Sequence, residues 1–274
     1  MSPTVGVVVP AYRPRPDRLV GYLRDLRATL DPEEIRVELD VPPGAEPPAL
    51  DLPPGVDCRV VRRRRGKGAA VTAGFEALST DVLAFADADG ATPADSLADV
   101  VDAVRTGGAE LGVGSRRHPA ADVRSHQTLA RRLLGDAFAW AARRLLDAKL
   151  YDYQCGAKAL SAEAWAAVRD HLYEPGFVWD IELLAVAAAL ELRVTEVPVT
   201  WVDQPGSTVS PVGDTFDMGR GLLVARHRAR LIRDDRLHRL LDRSDAPTLV
   251  DAPDPERDPA TGSGTGTGTG GDAG

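Results

Sequence analysis

Two carboxylates, Asp87 and Asp89, directly follow an apolar run from Val82 to Ala86, and a glycine-containing turn comes next. The apolar run predicts a buried strand, so both acids stand at its carboxyl end. In open α/β sheets, ligands bind outside the carboxyl ends of strands, and Mg²⁺ or Mn²⁺ binds through a few carboxylates and substrate phosphates. The spacing therefore predicts a divalent cation that holds a diphosphate. A solvated acidic turn is the alternative.

A basic turn runs from Arg62 to Gly68, between a predicted strand and a predicted helix. Backbone N–H groups at a helix start, together with nearby cations, bind phosphates. We therefore expect Arg65 and Lys67 to meet a phosphate or a nucleotide base, and a plain basic turn is the alternative. A dinucleotide fingerprint is excluded because its third glycine is Val71 here.

Three further cations are candidates for a second phosphate, because each follows a strand end or lies on a helix near the same edge: Arg116, Arg131 and Lys158. The segment Asp152 to Lys158 contains Gln154 and has the character of a site loop, since its sequence is poor for helix or strand.

Asp180 and Glu182 stand at the start of another predicted helix. The helix dipole favours acids at this place, so capping and catalysis both remain open for them.

The remaining sequence alternates between strand and helix patterns, which predicts an α/β fold with a mostly parallel sheet. Strands are predicted at 5–9, 35–39, 58–61, 82–86, 110–114 and 194–202, and helices at 17–30, 67–79, 93–105, 125–147, 162–171 and 181–190. Pro198 predicts an edge position for the last strand, and the proline-rich segment 41–54 is expected to be a loop.

These patterns divide the chain into three predicted parts. Residues 1–217 form the main domain, residues 218–245 a basic amphipathic helix, and residues 246–274 a disordered tail of low apolar content.

Composition limits the function classes. The net charge of −8 argues against nucleic acid as a partner. Two distant cysteines indicate neither a zinc site nor a disulfide framework. No signal peptide or membrane span is recognisable, so we expect a cytoplasmic protein, with the basic helix as a candidate for peripheral contact with the cytoplasmic face of a membrane.

Nine motifs in order resemble the inverting family 2 glycosyltransferases, and most closely the dolichyl-phosphate β-glucosyltransferases. The resemblance runs from Val5 to Arg230 and rests on the segments 7–12, 65–68, 86–92, 114–116, 154–158, 179–184, 197–201, 206–207 and 218–220. It implies a GT-A fold, a Rossmann-like α/β arrangement flanked by helices.

The resemblance also implies roles for these residues. Asp87 and Asp89 would hold Mg²⁺ or Mn²⁺ against the diphosphate of a nucleotide-sugar donor. Four residues would border the nucleoside: Pro10, Tyr12, Asp40 and Lys67. Four others would gather a dolichyl or other polyprenyl phosphate acceptor: Arg116, Arg131, Gln154 and Lys158. Such a phosphate is already anionic, so Asp180 and Glu182 would orient groups rather than act as bases.

The chain departs from the family pattern in three places. Arg13 to Arg15 replaces an Asn-Glu pair, a single Asp40 replaces paired acids, and Thr208 replaces a lysine. Two other functions therefore stay open. One is transfer to a hydroxyl acceptor with Asp180 or Glu182 as base, and the other is nucleotide-sugar binding without turnover.

Overall fold

The computed structural model describes residues 2–124, 129–202, 213–235, 238 and 246–252, and side chains within these ranges except those of 129–134 and 213–217. A seven-stranded sheet forms the centre of the molecule. Its strands are β1 (Val5–Tyr12), β2 (Glu34–Asp40), β3 (Val56–Val61), β4 (Val82–Ala86), β5 (Leu111–Ser115), β7 (Ala157–Ser161) and β8 (Val194–Pro198). The short strands β6 (Asp122–Arg124) and β9 (Thr200–Val202) pair separately.

The strand order is β3-β2-β1-β4-β7-β5-β8, and only β7 runs antiparallel to its neighbours. Sequence patterns predicted no strand at β7. Its insertion between β4 and β5 places Lys158 opposite Phe85, two residues before Asp87. The predicted edge position of the strand containing Pro198 is confirmed, because β8 is the last strand of the sheet.

Helices cover both faces of the sheet, which explains why the strands are apolar on both sides. They are α1 (Pro16–Leu30), α2 (Lys67–Phe75), α3 (Ala94–Arg105), α4 (Leu129–Leu145), α5 (Ala162–Val168), α6 (Trp179–Ala189) and α7 (Gly213–Ile232), with one 3₁₀ turn at Arg169–His171. Helices α1 and α3 share one core with the sheet, while α2, α5, α6 and α7 contribute to the other. The predicted loop at 41–54 is confirmed.

Helix α7 is part of the second core, and the predicted division at residue 218 therefore does not mark a structural boundary. The helix begins at Gly213, and its buried residues Leu222, Ala225 and Ala229 lie in the core that includes α6. Their spacing of three and four residues is that of one helix face.

The segment 246–252 also packs on the fold, so the predicted tail does not begin at 246. Leu249 N donates to Leu172 O at 2.8 Å, and Thr248 is buried. Residues 253–274 of that prediction lie outside the described residues.

Among the helices within the described ranges, none combines the length and the apolar character needed to cross a bilayer.

Candidate active site

Asp87 and Asp89 lie at the carboxyl end of β4, as predicted. Asp87 N donates to Gly156 O at 2.9 Å, which extends the pairing with β7, and the Asp87 side chain keeps 43% of its surface exposed. Asp89 Oδ1 accepts a hydrogen bond from Ala91 N at 3.0 Å, across the turn in which Gly90 has a φ of +64°. Both carboxylates are therefore open to a ligand from solvent.

The two carboxylates influence each other. Desolvation by surrounding protein atoms and the negative charge of Asp87 raise the pKa of Asp89 above its usual range. A bound cation would relieve this repulsion. No cluster of three or more His, Cys, Asp or Glu suited to a metal occurs among the described residues. The pair therefore fits Mg²⁺ or Mn²⁺, which take substrate phosphates as further ligands, better than a metal enclosed by protein alone.

An ion-pair chain connects Asp87 to the interior through Lys67, Asp180 and Lys158. Lys67 Nζ lies 2.9 Å from Asp87 Oδ1 and 2.8 Å from Asp180 Oδ2. Lys158 Nζ lies 2.6 Å from Asp180 Oδ1 and donates to Cys155 O at 2.8 Å. Negative and positive groups thus alternate from the exposed acid to a fully buried lysine. Four predicted site residues are brought together in this chain.

Burial and pairing act in opposite directions on these groups. Burial by itself would raise the pKa of Asp180, but the ammonium groups of Lys158 and Lys67 outweigh it and lower that pKa below its usual range. Burial would lower the pKa of Lys67, but Asp180 and Asp87 raise it above its usual range. Lys67 and Asp180 are therefore both charged near neutral pH. Asp180 hydrogen-bonds to these lysines, which argues against the capping explanation.

The start of α2 is closed by the loop before α6. Gly68 N donates to Gly176 O at 3.3 Å, and Ala69 N donates to Pro175 O at 3.1 Å. Gly66 has a φ of +102°, and a side chain there would collide with Pro175 O. These two backbone N–H groups therefore already have partners within the protein, and the contact of Arg65 and Lys67 with a phosphate or a base stays a prediction. The Lys67 side chain remains directed toward Asp87.

Arg65 is held by two acids from β2. Its Nε donates to Asp40 Oδ1 at 2.7 Å, its backbone N donates to Asp40 Oδ2 at 2.6 Å, and its Nη1 lies 2.9 Å from Glu38 Oε2. Sequence reasoning missed Glu38. The available signal was a carboxylate inside an otherwise apolar strand, which needs a partner when buried. Asp40 thus shapes the basic turn, and its contact with a nucleoside stays a prediction.

Tyr12 and Pro10 stand at the end of β1, opposite Asp40 and Glu38 of β2. The guanidinium groups of Arg64 and Arg13 lie 4.6 Å and 5.4 Å from the centre of the Tyr12 ring. The residues predicted to border the nucleoside therefore share one edge of the sheet with Arg65, and two further guanidinium groups lie against the Tyr12 ring.

Arg116 follows β5 and pairs with Asp152 at the start of the Gln154 loop. Its Nε and Nη2 donate to the two carboxylate oxygens at 2.7 Å and 3.0 Å. Burial would raise the pKa of Asp152, but Arg116 outweighs it and holds that pKa well below its usual range. Asp152, which was not among the predicted site residues, thus fixes Arg116 beside the site. The Arg116 side chain keeps 26% of its surface exposed.

Cys155 lies between this pair and the ion-pair chain and is buried. Burial raises the pKa of its thiol to about 11, so it is not a nucleophile at neutral pH.

The remaining predicted residues are placed differently. Gln154 Nε2 contacts Met218 Sδ of α7 at 3.3 Å. The side chain of Arg131 lies outside the described residues. Glu182 is buried away from Asp180 and accepts hydrogen bonds from Tyr173 N and Glu174 N, at 2.9 Å and 2.8 Å, and from Arg228. It therefore anchors the loop that closes α2 rather than joining the ion-pair chain.

The sequence pattern of glycosyl transferase family 2 matches residues 7–159, more than half of the 274 residues. The chain belongs to glycosyl transferase family 2. The matched region contains most of β1, β2 to β4, the carboxylate pair, Lys67 and Lys158, whereas Asp180 and Glu182 lie beyond it.

Several known proteins are similar to this chain in sequence. Glycosyltransferase AglD of Haloferax volcanii is 36% identical over 160 residues, which are 58% of this chain and 25% of AglD. Dolichyl-phosphate beta-glucosyltransferase of Mus musculus is 31% identical over 175 residues, 61% of this chain and 53% of the mouse protein. Undecaprenyl-phosphate mannosyltransferase of Micrococcus luteus is 32% identical over 143 residues, 51% of this chain and 58% of that protein. The aligned region thus spans less than two thirds of each of these relatives.

A solved structure supports the fold. Glucosyl-3-phosphoglycerate synthase from Mycobacterium tuberculosis, in complex with Mn²⁺, uridine-diphosphate-glucose and phosphoglyceric acid, superposes with a TM-score of 0.60 at 20% sequence identity. The match covers 82% of this chain and 80% of the synthase. The predicted GT-A arrangement is confirmed.

Proposed function

We propose that this family 2 protein transfers a hexose, glucose or a related sugar, from a nucleoside diphosphate donor to dolichyl or another polyprenyl phosphate. The reaction inverts the anomeric carbon and requires Mg²⁺ or Mn²⁺. The names of the mouse and Micrococcus luteus relatives support the sugar and the lipid phosphate, and the exposed carboxylate pair supports the cation.

The observation that carries the proposal is that Asp180 forms ion pairs with two lysines. A hydroxyl acceptor needs a general base, and an efficient base has a pKa near the operating pH. The pKa of Asp180 is lowered instead, and its carboxylate oxygens bind Lys158 and Lys67. Burial raises the pKa of Glu182, the other candidate base, but its carboxylate oxygens are occupied by backbone N–H groups and Arg228. A phosphate acceptor is already charged and needs no base, which favours it over the hydroxyl acceptor.

The residues of this chain would divide the work by charge. Asp87 and Asp89 would hold the cation, which neutralises charge on the departing diphosphate. Lys67 lies beside Asp87 and would help to neutralise the negative charge that develops on the diphosphate. Asp180, itself paired with Lys158, holds Lys67 in position. Arg116, fixed by Asp152, presents its exposed part to the acceptor phosphate. Catalysis then rests on positioning and charge neutralisation.

The test is a transfer assay with paired acceptors. Uridine- and guanosine-diphosphate sugars are incubated with Mn²⁺ and either a polyprenyl phosphate or the matching polyprenol. We expect a β-linked glycolipid from an α-linked donor, and only with the phosphate. Asp89→Asn should lower the rate roughly 10²-fold, while the exposed control Asp102→Asn should not. Product from the polyprenol would support the hydroxyl acceptor, and tight donor binding without any product would support a binding protein.

A further inference from the structure

A second basic surface lies beside the site, and no step of the proposed reaction uses it. It is an open groove of about 670 Å³ along α4 and the start of the Gln154 loop, which we name the α4 groove. Four cations and two aromatic rings line it: Arg117, Arg143, Arg144, Lys149, Trp140 and Tyr151. Arg117 and Tyr151 directly adjoin Arg116 and Asp152 in sequence, so the groove opens next to the acceptor side of the site.

The aromatic rings of the groove are exposed to an unusual degree. Trp140 keeps 65% of its surface accessible and Tyr151 39%, the former being the largest exposed fraction among the described large hydrophobic residues. Arg144 lies 5.8 Å from the Trp140 ring, and Arg143 lies 4.7 Å from the Tyr151 ring. Aromatic rings with one apolar and one polar end, flanked by cations, are typical of the membrane–water interface.

Two arginines of the groove are available to bind an anion. Arg143 and Arg144 have no carboxylate partner among the described side chains, and the single acid of the lining, Asp136, pairs with Arg117. Lys149 donates to carbonyl oxygens at the end of α4 while its side chain stays exposed. The groove is thus locally positive on a chain whose net charge is −8.

The described part of the predicted membrane element 218–245, which begins within α7, differs in this respect. Arg228 pairs with Glu182, Arg230 and Arg233 lie 3.6 Å and 2.7 Å from oxygens of Asp147, and Arg226 donates to Leu145 O. These four cations hold the fold together. They would have to break these contacts before meeting a lipid headgroup.

We propose that the α4 groove docks the protein on an anionic lipid surface. Trp140 and Tyr151 enter the headgroup region, while Arg143, Arg144 and Lys149 contact lipid phosphates. The inference deepens the proposed function and rests on it for its purpose, since a polyprenyl phosphate acceptor resides in a bilayer and the groove would hold the site against that surface.

Vesicle binding of the full chain tests the proposal without any donor or acceptor. We expect sedimentation with vesicles that contain phosphatidylglycerol, little with phosphatidylcholine alone, and loss of binding at high salt. Each basic residue near an anionic leaflet contributes about fivefold to partitioning, so Arg143→Gln with Arg144→Gln should weaken binding roughly 25-fold. The control pair, Arg105→Gln with Arg193→Gln, removes equal charge near the amino ends of β5 and β8, whereas the groove lies beyond the carboxyl end of β5. This pair should change binding less than about threefold. Equal loss in both pairs would overturn the proposal.

Tryptophan fluorescence reports the position, because Trp140 is the most exposed of the four tryptophans, while Trp165 and Trp179 are buried and Trp201 is half-buried. Anionic vesicles should shift the emission to the blue, and Trp140→Phe should abolish the shift while binding persists. A persisting shift in Trp140→Phe would place the contact elsewhere. Full competition by millimolar glycerol phosphate would identify a small phosphate ligand in place of a membrane.

The two proposals fail separately. If anionic vesicles bind as expected but no sugar is transferred, the proposed function is wrong and the docking surface stands. If transfer to a detergent-dispersed acceptor succeeds but vesicles do not bind, the docking inference is wrong.

Discussion

The ion-pair chain and the α4 groove hold their cations in opposite ways. In the ion-pair chain, Lys67 and Lys158 are buried and each contacts Asp180 within 3 Å. In the groove, Arg143 and Arg144 lie over aromatic rings. A buried charge persists only when it is paired, whereas an exposed one needs no partner. The ion-pair chain is therefore preorganised, whereas Arg143 and Arg144 of the groove can bind anions without breaking an ion pair of the described side chains.

The largest expected effect comes from removing the central acid of the ion-pair chain. Asp180→Asn leaves Lys158 buried without a counter-charge and removes one of two partners from Lys67. We expect a loss of about 3–5 kcal/mol in the free energy of unfolding, measured by urea denaturation. The exposed control Asp102→Asn should change it by less than ~0.5 kcal/mol. Similar small changes in both variants would show that the chain contributes nothing to stability.

Ligand binding tests the role of Asp87 and Asp89, at the exposed end of the ion-pair chain. A nucleoside diphosphate with Mn²⁺ at 100 times its dissociation constant should stabilise the protein by about 2.7 kcal/mol. Asp89→Asn should abolish the part that depends on Mn²⁺, because one of two carboxylate ligands is lost. Thermal unfolding with and without metal measures this, and an unchanged metal dependence would place the cation elsewhere.

The pair of Arg116 and Asp152 predicts a pH dependence. The pKa of Asp152 is lowered in the folded state, so the ionised Asp152 carboxylate stabilises the fold. This stabilisation is complete above the unfolded-state pKa of about 3.9 and is lost as pH falls through the folded-state pKa. The free energy of unfolding of the wild type should exceed that of Asp152→Asn by roughly 2 kcal/mol between pH 5 and 8. That difference should shrink below about pH 4. Urea midpoints across pH measure it, and a difference that grows on acidification would contradict the assignment.

The smallest expected effect is in the groove itself. Replacing Arg143 and Arg144 by glutamine should change the free energy of unfolding by less than ~0.5 kcal/mol, because neither guanidinium compensates a buried charge. Chemical denaturation at low and high salt measures this. A loss above about 2 kcal/mol would show that these arginines support the fold, and the contrast with the ion-pair chain would fail.

Local patterns predicted much of the site. The position of Asp87 and Asp89 after an apolar strand, and of Lys67 at a helix start, follows from periodicity and from the identity of neighbouring residues. Other partners were missed, because Glu38 and Asp152 act on residues 27 and 36 positions away. No local pattern encodes such a pairing.

The predicted boundary at 218 also separates what local sequence could predict from what packing decided, here within one helix. Sequence predicted a basic helix there, and its arginines suggested a membrane surface. Yet the spacing of Leu222, Ala225 and Ala229, an apolar face, was a signal for core packing. Only the packing against the other helices decides which face governs the position of α7.

Sequence alone determined the type of most elements, the family and the residues able to do chemistry, since these depend on local sterics and side-chain identity. Tertiary structure decided which charges compensate which. It inserted β7 antiparallel between β4 and β5, and so brought Lys158 to Asp180 and Gly156 to Asp87. Electrostatic pairing depends on distance in space, and distant segments acquire that distance only when the whole sheet is assembled.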